Sequence, residues 1–234
     1  MLLLALLGCA PSFHQVPGPL AGLGGEPSSE WVLPRSERPS RPRPDAPAER
    51  PAPVAIAEAA AGFVGQRSLL VDGEPYRQDC SGLVEAALAS AGCAFRGSSA
   101  MLFEEAKAQR VLHRRRMPSP GDIAFFDDTY DRNGNGRRDD PLSHVAVVEA
   151  VDRDGTITLV HFGSKGVARV TMNLRHPEER TSPDGKELND YLRAHHRGDP
   201  PRTRYLAGEL WVAFASYWEA RPADQVATAE RSTR

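Results

Sequence analysis

Hydrophobic and polar positions divide the chain into four regimes. Residues 1–9, from Met1 to Cys9, are apolar almost throughout. Residues 10–53 carry no period, and prolines, glycines, serines and arginines dominate them, as in Arg38-Pro39-Ser40-Arg41-Pro42-Arg43-Pro44. From Val54 to Ala61 a helical pattern sets in. A second helix is better marked: Asp79 is a good N-cap, Leu83, Val84, Ala87, Leu88 and Ala91 recur at helical spacing, and Gly92 supplies the stop. A third helix is predicted from Ser99 to Leu112. Beyond Pro118 the period becomes that of strands. Pro120-Gly121-Asp122 is a turn, and Ile123 to Phe126 reads as a buried strand. His144 to Val151 and Thr156 to Phe162 flank the hairpin signal Asp152-Arg153-Asp154-Gly155, and Val167 to Met172 predicts a fourth strand. Arg175 to Arg204 reads as a long polar loop, and Leu206 to Trp218 as a helix. Helices followed by antiparallel strands define an α+β order.

These regimes give the domain organisation. Residues 1–9 are too short to span a bilayer, which takes about 20 residues, but Leu6-Leu7-Gly8-Cys9 resembles the lipobox of bacterial lipoproteins. That resemblance implies export, cleavage before Cys9 and lipidation of Cys9. Residues 10–53 bury too little apolar surface to offset their ordering entropy and are expected to form a flexible tether. Residues 54–220 form the expected catalytic domain, and 221–234 a disordered tail. With 29 basic against 31 acidic residues, the chain lacks the basic excess of a protein held to nucleic acid by bulk electrostatics. Arg114-Arg115-Arg116 reads as a solvated turn.

The candidate chemistry centres on Cys80. At a helix start, free backbone amides and the helix dipole favour negative charge, so the thiol pKa is expected to fall toward the thiolate. His144 and His161, both on predicted strands, are its candidate partners. By strand parity His144 shares a face with Ala146 and Val148, and His161 with Leu159 and Ile157. A tight turn at Asp154-Gly155 would set His161 opposite Val148 and leave the imidazoles about 13 Å apart; a longer loop or a bulge slides them together. A disulfide between Cys80 and Cys93 is excluded on length. The two lie about 18–20 Å apart along one helix, whereas a bridge needs Cα atoms within about 7 Å. Cys93 is expected to be a small buried residue.

Four motifs in order, over Val54 to Met172, resemble the NlpC-type cysteine peptidases. They are Asp79-Cys80-Ser81-Gly82-Leu83-Val84, Pro120-Gly121-Asp122-Ile123-Ala124-Phe125-Phe126, Ser143-His144-Val145-Ala146-Val147-Val148 and Val160-His161-Phe162-Gly163. The resemblance implies a papain-like α+β fold and no metal required for catalysis. It makes Cys80 the nucleophile, His144 the general base and His161 the residue that orients His144, with Tyr76 and Ser81 as candidate oxyanion or substrate contacts. It also implies hydrolysis of peptide bonds in peptidoglycan stems, commonly the one between D-γ-glutamate and a diamino acid. The alternatives are an N-acetylmuramoyl-L-alanine amidase of related cysteine–histidine type and a non-catalytic wall-binding module. The partners implied are peptidoglycan and a membrane reached through the lipid anchor; the expected protein is a monomer in the cell envelope. Tyr76 departs from the family pattern, lying only four residues before Cys80 with no glycine pair after it.

An insertion separates Phe126 from His144. Asp131, Asn133 and Asn135 place oxygens at alternate positions before Gly136, with Asp139 beyond, as in the first half of a calcium loop. Leu142 stands where a bidentate glutamate is expected, and Arg137 and Arg138 oppose a cation. A solvated aspartate-rich turn is the favoured reading and calcium the alternative. His113, His176, His195 and His196 show no partner pattern.

Overall fold

The computed structural model describes residues 52–93 and 95–220. The expectations for residues 1–9, the tether, the tail and Cys9 therefore lie outside the described residues. Helices α1 (Ala52–Gly62), α2 (Cys80–Ser90) and α3 (Ser99–Ala108) precede most of the strands. A hairpin of β1 (Leu69–Val71) and β2 (Glu74–Tyr76) lies between α1 and α2. The main sheet contains β3 (Leu112–His113), β4 (Ile123–Phe126), β5 (His144–Val151), β6 (Thr156–Gly163), β7 (Gly166–Asn173) and β8 (Trp211–Ala215). Its order is β3-β8-β4-β5-β6-β7, and every pairing is antiparallel. The fold is α+β.

Each face of the sheet feeds its own apolar cluster. Ile123, Phe125, Val145, Val147 and Val160 pack with Ile56, Leu83, Leu88 and Leu102 of the three helices. Ala124, Phe126, Ala146, Val148, Ile157, Leu159 and Phe214 face the other way, toward Leu174, the short helix α4 (Ala207–Leu210) and Leu192. Alternate residues of one strand thus enter opposite cores.

Three expectations are corrected. The third helix stops at Ala108, and Leu112–His113 pairs with Phe214 and Ala215 as a strand. The predicted helix from Leu206 to Trp218 is helical only over Ala207–Leu210. Trp211–Ala215 instead runs between β3 and β4. Ala213, Phe214 and Ala215 are all buried, so this inner strand shows the unbroken apolar run that cannot be told from a buried helix by period. The β1–β2 hairpin was not predicted; its Asp72-Gly73 turn has both residues at positive φ (51° and 83°), the geometry of a two-residue hairpin turn.

The Pro-Gly-Asp motif has a structural job. Asp122 is 1% exposed. Its carboxylate accepts bonds from the Ser119 amide (2.8 Å), the Ser216 hydroxyl (2.7 Å) and the Trp218 indole (3.2 Å), and it lies 3.1 Å from His113 Nε2. Asp122 therefore ties β3, β4 and the end of β8 together, and His113 has a partner that the sequence did not reveal. Replacing one member of a buried, paired charge network costs about 3 kcal/mol or more. Asp122→Ala is expected to lose about that much stability in urea unfolding, while exposed Arg153→Ala stays within about 0.5 kcal/mol of wild type; similar losses for the two variants would refute the hub role.

Candidate functional site

Cys80 opens α2 directly after Asp79, whose side chain accepts the Gly82 amide at 2.7 Å. Gly82 is required by a close approach. A Cβ there would stand 1.9 Å from the Arg77 carbonyl oxygen, so only glycine lets the incoming chain lie against the helix start. Around the sulfur, the Val145 backbone amide and Ser81 provide hydrogen bonds. The Val145 contact puts Cys80 against the strand residue that directly follows His144.

The two imidazoles meet. His144 Nε2 and His161 Nδ1 are 3.0 Å apart, with ring centroids at 5.2 Å and planes at 78°. Register explains it. Near the hairpin turn Val151 faces Ile157 and Ala150 faces Thr158, but beyond Glu149 the pairing shifts to Val148 with Leu159 and Val147 with Val160. Continuing that shifted ladder sets His161 opposite Ala146, diagonal to His144 on the same face. The bulge is the feature that slides the two together. Cys80, His144 and His161 then line one cavity of about 820 Å³.

Electrostatics differ from the sequence expectation. Burial pushes the Cys80 thiol up from its ordinary value and the neighbouring Asp79 adds to the rise, outweighing the Val145 and Ser81 hydrogen bonds. Burial and the adjacent His161 push His144 down to about 3, and burial also lowers His161. The resting site is a neutral thiol beside neutral imidazoles, where the helix start alone suggested a thiolate.

Other sequence candidates scatter. Ser81 is buried beside the sulfur. Tyr76 does not line the Cys80 cavity. It lines a smaller one, of about 290 Å³, with Ala89, Gly92 and Phe95, and Arg96 lies over its ring at 4.8 Å. The tyrosine that does line the Cys80 cavity is Tyr130, from the insertion. Its position is fixed by Thr129, whose amide and hydroxyl both bond the Ser143 hydroxyl (2.9 and 2.8 Å) just before His144.

The insertion folds on its own hydrogen bonds. Asp131 accepts the amides of Gly134, Asn135 and Gly136 (2.7, 3.1 and 2.7 Å), and Asn133 and Asn135 direct their amide groups at Asp139 (3.4 and 3.0 Å). These four side chains are brought together, but among the described residues no group of three or more His, Cys, Asp or Glu is placed to hold a metal. His195, for which the sequence showed no partner pattern, is exposed but stacks on Tyr205 at 3.7 Å and meets Tyr191 edge-on at 4.9 Å. With Arg193 it belongs to the cavity wall. His176 pairs with Glu179 at 3.0 Å.

Residues 71–162 match the family model of the CHAP domain, a cysteine- and histidine-dependent amidohydrolase and peptidase domain related to the NlpC and P60 group. The match is to that related domain and not to the NlpC family itself. It contains Cys80, His144 and His161 and ends before the segment bearing Tyr191, Arg193 and His195. Neither a curated protein nor a solved structure matches the chain. A CHAP domain implies a peptidoglycan-hydrolysing cysteine peptidase or amidase. Among the described residues no helix is long and apolar enough to cross a membrane.

The raised thiol yields a direct expectation. Iodoacetamide alkylation mapped to Cys80 by mass spectrometry should accelerate with a midpoint no lower than the ordinary thiol range, about 8.5. A midpoint below neutrality would show a resting ion pair and contradict this electrostatic reading.

Proposed function

We propose that the chain hydrolyses amide bonds in peptidoglycan stem peptides through Cys80, His144 and His161, the bond between D-γ-glutamate and a diamino acid being the first candidate. The observation that carries the reading is the His144–His161 contact in the cavity that Cys80 also lines, within the segment matching a CHAP domain.

The tautomers follow from the contact. For His144 to take the thiol proton on Nδ1, its Nε2–H must donate to His161 Nδ1, so His161 carries its own proton on Nε2. His161 is then a positioning residue. Because the thiol is raised and His144 lowered, proton transfer accompanies attack and does not precede it. Sulfur bonds to the carbonyl carbon as its proton passes to His144. That proton then goes to the leaving amine, and His144 next deprotonates the water that hydrolyses the thioester. The amides of α2 narrow the choice of oxyanion donor. Gly82 N is held by the Asp79 side chain and Leu83 N by the Asp79 carbonyl, and Ser81 N–H faces the sulfur. The Cys80 N–H remains. The apolar run ending in Gly8-Cys9 supports an envelope location, with the domain held near its wall substrate.

Purified peptidoglycan treated with the full chain should release defined fragments that Cys80→Ala does not release. Mass spectrometry then distinguishes stem cleavage from amidase cleavage at the sugar–peptide junction. Release by neither protein would overturn the hydrolase and favour a wall-binding module. Protonation of His161 would reverse its hydrogen bond and force the wrong tautomer on His144. Since burial lowers the His161 pKa below 6.5, kcat/KM should hold as pH falls through 6.5 and decline only at more acid values. His161→Ala should cost on the order of 10²-fold or more in kcat, with partial rescue by His161→Asn, whose carbonyl still accepts the His144 proton. A decline centred at or above pH 6.5, or equal loss in both variants, would contradict this role.

A further inference from the structure

Beyond the imidazoles, the cavity wall carries two cations, Arg193 and Lys165, that no carboxylate contacts among the described residues. Arg193 is only 6% exposed, yet it lines the cavity. Its guanidinium donates one bond, from Nη1 to the Asp128 carbonyl at 2.5 Å, and its Nε is sealed from solvent without an acceptor. No carboxylate comes within 4.0 Å of it among the described residues. Asp140, bonded to Asp128 through its amide, is buried with both carboxylate oxygens unpartnered. The carboxyls that feel the charge of Arg193, those of Asp131 and Asp199, are held down by it in part but do not reach contact with it. At the turn between β6 and β7, exposed Lys165 also lines the cavity, and it makes no hydrogen bond or ion pair among the described residues. The one carboxylate in the lining, Asp79, is occupied as the helix cap.

Nε, closed to solvent, is equally closed to a ligand, so an arriving anion meets this guanidinium at its terminal nitrogens, of which Nη1 already holds the Asp128 carbonyl. We propose that Arg193 and Lys165 form a carboxylate-binding subsite, and that they set the specificity of the cavity for peptides with free carboxylates over their carboxamides. The planar fork of Arg193 suits a carboxylate in a dry wall, while Lys165 is a mobile point charge at the rim. The aromatic wall of Tyr191 and His195 flanks Arg193 in sequence and space, giving the peptide an apolar surface beside the charge. The proposal rests on the hydrolase reading for its substrate, since stem peptides carry free carboxylates that can also be amidated.

Binding tests it apart from turnover. The full chain bearing Cys80→Ala is titrated calorimetrically with alanyl-γ-glutamyl-diaminopimelate and with the same peptide fully amidated at its carboxylates. The acid form should bind at least tenfold more tightly. Adding Lys165→Met, at an exposed position that does not threaten folding, should cut that preference severalfold. Arg193→Met should abolish it where its melting temperature shows a folded protein. Equal affinity for the two peptides, or no measurable binding of either, overturns the subsite. A wall-degrading enzyme with no acid preference would leave the hydrolase reading intact, and selective binding without turnover would sink the hydrolase reading alone.

Discussion

The site depends on one irregularity, the bulge at Glu149. From the hairpin turn inward, Val151 faces Ile157 and Ala150 faces Thr158. An unbroken ladder would set His161 opposite Val147, whose side chain enters the core beneath the helices. Facing residues share a face, so His161 would sit on the side of the sheet away from His144. One extra residue reverses that parity. The bulge is held on both flanks. Val148 exchanges backbone bonds with Gly121 and Asp122 at 2.8 Å each, and the Glu149 carboxylate grips Arg169 of β7 through two bonds of 2.6 and 2.7 Å. The Pro-Gly-Asp turn thus steadies, by way of Val148, the register on which the imidazole pair relies.

A second element with no regular structure completes the cavity, and side-chain hydrogen bonds are what give it shape. Asn189 is fully buried and uses both ends of its amide. Nδ2 donates to the carbonyls of His176 and Glu179 at 2.8 Å each, and Oδ1 accepts the amides of Asn173 and Gly208 at 2.9 and 3.1 Å. Next to it, Asp190 takes the Thr171 amide at 2.7 Å. These anchors fasten the start of the Tyr191–His195 segment to β7 and α4, with no core of its own to hold it. A buried amide with its bonding capacity this well used is a rigid fixture, so the wall facing Cys80 is set in place before any ligand arrives.

The sequence was most informative where local rules decide the outcome. The Asp79 cap and the strand from His144 to Val151 follow from capping and period, whereas the shared face of the two histidines holds only because the bulge restores the parity that a regular ladder from this turn would break. Their separation did not follow either, because a one-residue bulge leaves no mark in an apolar run. Trp211 to Ala215 lost its strand signal through burial in the middle of the sheet. The Asp72-Gly73 hairpin carries its signal in the turn pair itself, between Val71 and Glu74. Tyr130, Arg193 and His195 sit in polar segments without period, and hydrogen bonds and ring contacts formed only in the fold bring them to the cavity. Asp122 stood in a recognised motif, but its four contacts lie as far away as Trp218.

The thiol shows most clearly why a local rule can point the wrong way. A helix N-terminus stabilises a thiolate by an amount set within the first turn, typically below about 1 kcal/mol at an exposed position. Desolvation depends on everything packed around the sulfur, and here burial outweighs the hydrogen bonds from Val145 and Ser81 that favour the thiolate. The larger effect wins, and the same burial keeps His144 neutral. A neutral pair avoids the desolvation cost of a buried thiolate–imidazolium pair in the resting protein, and it keeps the imidazole free to accept a proton at any ordinary pH. The cost falls at the moment of attack, when charge separates in a dry site. In the proposed mechanism the Cys80 amide and the helix end would act there on a developing oxyanion with little water to screen them. The burial that weakens the resting thiol therefore strengthens the stabilisation of the state that has to form next.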